Sequence, residues 1–187
     1  MSKSKILITN DDGIFAPGIY ALWEAMQEVG QTTVVAPDTE QSAVGHAITL
    51  ADPLRVEGIH RTGGFEGFAV SGTPADCAKI AIRSLMDKKP DVLVSGINQG
   101  ANLGRDMLIS GTVGAAQQAY SRDINAIAIS VAALIDVPYE PSAFVLRSIV
   151  QHLIDAEDGK GSWWHAALTA HGPVSYTHLT LPTSDLV

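Results

Sequence analysis

Short runs that are apolar at every position, separated by longer stretches of helical period, constrain this chain more than any other feature. Ile6-Leu7-Ile8-Thr9 and Val92-Leu93-Val94 show no polar alternation, as strands do when both faces of their sheet are covered. Ile19, Leu22, Trp23 and Met26 fall at i, i+3, i+4 and i+7, which predicts a helix from Ile19 to Val29. Thr32 to Ala36 reads as a second strand, ended by Pro37, and Phe68-Ala69-Val70 as a third. Thr73 to Met86 predicts a helix with Thr73 as its cap, Pro74 in its first position and Asp76 where a capping-box acid belongs. Gly111 to Tyr120 predicts a helix of small residues, Ala126 to Val131 a strand, and Ser142 to Ile154 a further helix. Strands alternating with helices of this length form βαβ units around a parallel sheet. The expected class is therefore α/β, in three layers. Leu50 to Gly67 breaks the rhythm, and its glycines predict a small β excursion at the sheet edge.

Composition narrows the function. The 187 residues match one domain. A single cysteine excludes a disulfide framework and a thiolate zinc cluster. It lies on the Thr73–Met86 helix and reads as a small core residue. None of the six histidines forms a zinc-binding pattern. There is no apolar stretch of the roughly 18 residues that a membrane span needs. The apolar run after Met1-Ser2-Lys3-Ser4-Lys5 is too short for a signal peptide, so the expected location is the cytoplasm. The net charge is -8 and there is no Lys/Arg block, which argues against holding a nucleic-acid backbone. A phosphate ligand would need a cation or backbone N–H groups.

In open α/β sheets, ligands bind beyond the carboxyl ends of the strands. Asn10-Asp11-Asp12-Gly13 follows the first strand, and Pro37-Asp38-Thr39-Glu40-Gln41-Ser42 the second. Ser95-Gly96-Ile97-Asn98-Gln99-Gly100-Ala101-Asn102-Leu103-Gly104 follows Val92-Leu93-Val94, and Ser110-Gly111-Thr112 opens the next helix. Four oxygen-rich loops therefore share one rim. A tight turn at Gly13 would bring Asp11 and Asp12 to one point, where a divalent cation removes their repulsion. The candidate ligands are all oxygens, including the Ser42 hydroxyl and the Asn98 amide, which suits Mg²⁺ or Mn²⁺. Asp-Asp-Gly taken alone reads rather as an ordinary turn. The Asn- and Gly-rich run after Asn98 is either a flexible connection or an anion cradle. Ser110-Gly111-Thr112 is either a helix cap or an anion site. His46 follows Ser42 closely enough to reach the rim, or is a solvated loop residue. Trp163-Trp164 reads as core or interface packing. There is no G-x-S-x-G elbow, no G-x-x-x-x-G-K-[ST] loop and no G-x-G-x-x-G turn, which argues against a nicotinamide or flavin enzyme.

Five segments together resemble the stationary-phase survival protein SurE family. They are Ile8 to Gly13, Gln41 to His46, Ser71 to Cys77, Ser95 to Gly104 and Ser110 to Ala116, in the family's order and spacing, within a match from Lys5 to about Ile154. The resemblance implies a Rossmann-like α/β/α fold. It also implies a metal-dependent phosphatase of nucleoside 5′- and 3′-monophosphates, with short polyphosphate as a further substrate. It assigns Asp11, Asp12, Ser42 and Asn98 as ligands of one divalent ion, with Asp11, Asp12 and Asn98 also catalytic. Asn10, His46, Ser110, Gly111 and Thr112 are the expected phosphate or substrate contacts. Homodimers or homotetramers with an exchanged C-terminal arm are implied as well. Ala43 stands where the family commonly has Gly, and Ile109 where it has Tyr. Family chains are longer than this one. Val174 to Leu179 reads like a translated transposon end from sequencing-library preparation. The expected organisation is therefore a phosphatase domain over 1–173, incomplete at its C-terminal end, and a non-native tail over 174–187. The alternative function is a nucleotide- or metal-binding protein with impaired catalysis.

Overall fold

The apolar runs become the central strands of a parallel sheet. The computed structural model describes residues 3–155 and 163–168. In chain order the elements are β1 (Lys5–Thr9), α1 (Pro17–Met26), β2 (Gln31–Pro37), β3 (Val56–His60), β4 (Glu66–Val70), α2 (Pro74–Ile80), β5 (Val92–Gln99), α3 (Gly111–Tyr120), β6 (Asn125–Val131), α4 (Tyr139–Asp155) and β7 (Trp163–Leu168). The seven strands lie in the order β3-β4-β2-β1-β5-β6-β7. Every pairing is parallel except that of β3 with β4. That antiparallel hairpin is the edge excursion the glycine-rich segment predicts.

Each central strand feeds two cores. Ile6 and Ile8 pack with Ile19, Leu22 and Met26 of α1 and with Leu146 and Val150 of α4. Leu7 and Leu93 pack with Cys77 and Ala78 of α2 and with Val113, Ala115 and Ala116 of α3. This alternation of faces gives three layers, α1 and α4 on one side of the sheet and α2 and α3 on the other. The fold is the expected α/β/α Rossmann-like sandwich, and Cys77 is a buried core residue.

Three elements differ from the sequence pattern. The expected Thr73–Met86 helix begins with the capping box at Thr73 and Asp76, but after Ile80 it widens into a π-type turn over Ala81–Leu85. Side-chain periodicity changes too little over five residues to reveal such a turn. β5 continues five residues beyond Val94, through mostly polar or small residues. Its pairing with β6 shifts between Ser95 and Asn98 and resumes with Asn98 opposite Ser130. Gly96 permits this course: its φ is 136°, and a Cβ there would lie 2.4 Å from the Ile129 carbonyl oxygen. β7, which begins at Trp163, was not expected as a strand. The expected tail over 174–187 lies outside the described residues. No helix among the described residues is long and apolar enough to cross a membrane.

The sheet order reverses at β1. The chain moves outward from β1 through β2 to β4, then returns to place β5 on the other side of β1. The crevice beyond the ends of β1 and β5 is therefore the topological switch point, where ligands bind in open α/β sheets.

Candidate functional site

A cavity of about 260 Å³ opens at that crevice. Its walls come from the loops after β1, β2 and β5 and from the start of α3. Asp11, Asp12, Ser42, Asn98 and Ser110 line it, together with Glu40, Gln99, Asn102, Asp106 and the apolar Ala43 and Ile109. Four carboxylates and no Lys or Arg lie among the lining residues.

Asp11 and Asp12 are neighbours in sequence but differ in environment. Asp11 is 7% exposed. Its Oδ2 accepts the backbone N–H of Thr112 at 3.0 Å, and its Oδ1 accepts the Thr112 hydroxyl at 2.5 Å. Burial pushes its carboxyl above the ordinary range, against the pull of the two Thr112 bonds. Asp12 is less buried, and among the described residues its Oδ2 accepts only the Gln99 N–H, at 3.3 Å. Burial first, and the charge of Asp11 second, push its carboxyl up to about 7. Glu40 adds to both effects. Two carboxylates thus face one space with their charge uncompensated.

Neutral oxygens complete the site. The Asn98 amide nitrogen donates to the carbonyls of Gly100 at 2.7 Å and Gln99 at 3.2 Å. That leaves its Oδ1 without a hydrogen bond among the described residues. The Ser42 hydroxyl donates to Glu40 Oε1 at 2.5 Å. Among the described residues no group of three or more His, Cys, Asp or Glu forms a metal-holding cluster. A cation here would depend on Ser42 and Asn98 as well as on the two aspartates. Such a donor set, all oxygen and carrying uncompensated negative charge, fits a hard divalent ion such as Mg²⁺ or Mn²⁺.

The loop bearing Ser42 is anchored at several points. Ile14 N–H donates to the Pro37 carbonyl at 2.9 Å, and Gln41 N–H to the Asp11 carbonyl at 2.8 Å. Gly13, at φ 98°, makes the turn that brings the β1 loop against Thr39 and Glu40. Gly45 N–H donates to the Ile109 carbonyl at 2.7 Å. The loop then presses on α3 at Gly114, where a Cβ would lie 2.3 Å from the Gly45 carbonyl oxygen. Ala43 holds φ 57° within this loop, in the left-handed region where Ala is strained and Gly is not.

Four expected substrate contacts do not line the cavity. Asn10 is buried, and its amide nitrogen donates to the Gly13 carbonyl at 2.9 Å, so it braces the turn. Gly111 and Thr112 are buried, and both donors of Thr112 are spent on Asp11 rather than turned toward an anion. His46 Nε2 lies 2.7 Å from the side-chain amide of Gln118. With that amide oriented to satisfy both neighbours, its nitrogen donates to His46 and its oxygen accepts from Arg122 at 3.1 Å. Ser110 combines both of its readings: it lines the cavity and caps α3 by accepting Val113 N–H at 3.2 Å. Glu40, Gln99 and Asp106 were not singled out from the sequence. Glu40 had a visible signal, an acid two residues before Ser42 in the same rim loop.

The family model described as survival protein SurE matches residues 6–174. The 5′-nucleotidase SurE of Syntrophobacter fumaroxidans is 56% identical over 127 residues, covering 68% of this chain and 51% of that protein. That of Alkaliphilus metalliredigens is 49% identical over 156 residues, covering 82% of this chain and 61% of the relative. The chain thus spans between half and two thirds of the length of these curated relatives. Among solved structures, the SurE protein from Aquifex aeolicus superposes with a TM-score of 0.80 at 38% identity, over 89% of this chain and 66% of that one.

Proposed function

Because this chain belongs to the survival protein SurE family, we propose that its switch-point cavity hydrolyses nucleoside monophosphates to nucleoside and phosphate. The relatives named above are 5′-nucleotidases. We extend the reading to 3′-monophosphates and short polyphosphate as further substrates. Asp11, Asp12, Ser42 and Asn98 would hold one divalent cation, Mg²⁺ or Mn²⁺. The observation that carries this reading is the pair of aspartates in one cavity, with no Lys or Arg among its described lining residues to balance them. When bound, the cation supplies Lewis-acid stabilisation of charge on the phosphoryl oxygens.

The chain's own residues divide the remaining work. Thr112 fixes both oxygens of Asp11, so this carboxylate is preorganised and cannot swing. Asp12 keeps one oxygen without a hydrogen bond among the described residues. It is the better placed of the two to accept a proton from water entering the cavity. Ser110 opens α3 at the cavity wall, where a helix N-terminus favours an anion. Ile109, Ala43 and Ala101 supply apolar lining for the nucleoside.

Phosphate release from a nucleoside 5′-monophosphate with Mn²⁺ tests the proposal. The wild-type chain releases phosphate, chelator abolishes the release, and Asn98→Ala lowers it by about 100-fold, the loss typical of removing one group that stabilises transition-state charge. Nucleotide binding without release above the Asn98→Ala level would instead identify a binding protein.

A further inference from the structure

We propose that Glu40 is a positioning residue for the cation seat, taking the proton of Ser42 so that the lone pairs of Oγ face the ion. This rests on the preceding reading of Asp11, Asp12, Ser42 and Asn98. A serine hydroxyl has one proton and two lone pairs. To serve a cation as a neutral ligand it must send its proton elsewhere, because a proton aimed at the ion blocks the lone pairs. Glu40 Oε1 receives that proton at 2.5 Å. No other acceptor bonds the Ser42 hydroxyl among the described residues. His46, a further side chain on this loop with acceptor capacity, is engaged by Gln118.

The backbone fixes Glu40 in place for this task. Gly13 packs against the Thr39–Glu40 peptide, with a Cβ there 3.4 Å from the Thr39 carbonyl carbon and 3.5 Å from Glu40 N. Gln41 N–H is tied to the Asp11 carbonyl. Glu40 and Ser42 therefore hang from a loop pinned against the turn that carries Asp11 and Asp12. Asp106 also lines the cavity, but among the described residues the Ser42 hydroxyl bonds to Glu40 and not to Asp106, so the role falls to Glu40. Partners that orient metal ligands in this way set affinity without touching the ion.

Mn²⁺ affinity measured by calorimetry tests the role. Glu40→Leu removes the acceptor and weakens binding by about 10-fold or more, the usual loss for an outer partner of a metal ligand. Glu40→Gln keeps an acceptor oxygen and stays within about 3-fold of wild type. In a Ser42→Ala background, Glu40→Leu adds less than about 2-fold, because the bond it removes is already gone. Glu40 is exposed, so these substitutions spare the core. Wild-type affinity in Glu40→Leu overturns the proposal. So does a Glu40→Gln loss equal to that of Glu40→Leu, which would mean that charge alone acts. A loss that persists undiminished in Ser42→Ala also overturns it, because Glu40 would then act independently of Ser42. Asp12→Asn separates the levels. If it leaves Mn²⁺ binding unchanged, the cation seat itself fails; if it abolishes binding while Glu40→Leu does not weaken it, only the Glu40 role fails.

Discussion

Asp12 pays for its place in the cavity, and the cost depends on pH. Its carboxyl rises from 3.8 to about 7 in the folded chain, through burial and the charge of Asp11. Between those values the folded state holds a proton that the unfolded state releases. Stability from this group is therefore full below the lower value and falls as pH rises through the upper one. Asn at position 12 does not titrate and keeps an oxygen for the Gln99 N–H. In chelator, the melting temperature of Asp12→Asn relative to wild type should climb from pH 5 to pH 8. A constant or shrinking difference would contradict the burial of an uncompensated charge. Thr112 shows why residue roles were only partly legible. Its place at a helix start suggests an anion contact, yet both its donors go to Asp11. The two residues lie 101 positions apart, and no local pattern encodes that contact. Glu40 was visible as a rim acid, but its bond to Ser42 depends on how the loop bends. Ala43, where the resemblance implies Gly, holds a positive φ, a conformation that favours Gly.

At the scale of elements, α3 braces the site. Small residues along it let the Ser42 loop approach, and Gly114 is the tightest point. A Cβ there would meet backbone atoms of Gly45 and His46, at 2.3 Å from the Gly45 carbonyl oxygen and 3.0 Å from the His46 Cα. Backbone cannot rotate aside as a side chain can. Gly114→Ala should destabilise the chain by about 1–3 kcal/mol, as overpacking does elsewhere, and weaken Mn²⁺ binding by displacing Ser42. Thermal melting and metal titration check the two effects, and wild-type values in both would refute the contact. The α3 boundaries were legible because Ser110, a capping residue, stands before an unbroken run of small residues. The end of β5 was not, because Ser95 to Gln99 are mostly polar or small and resemble a loop. Strand pairing with β6, a long-range property, carries them into the sheet.

At the scale of the molecule, the strand order explains why distant loops meet. β1 and β5 are adjacent although β2 to β4 intervene in the chain. Asp11 and Asp12 at the end of one, and Asn98 at the end of the other, therefore converge. The layering was legible from apolar runs such as Ile6-Leu7-Ile8, which only a sheet covered on both faces accommodates. The edge hairpin was legible as a break in rhythm, and β7 was not expected. The chain carries a net charge of -8, and its cavity gathers four carboxylates. A phosphate would be repelled from that rim unless a cation neutralised it. Anomalous diffraction from crystals containing Mn²⁺ tests this central claim most directly. One strong peak is expected in the cavity, within about 2–2.5 Å of oxygens from Asp11, Asp12 and Asn98. A fully occupied ion elsewhere, or no peak between these side chains at saturating Mn²⁺, would contradict it.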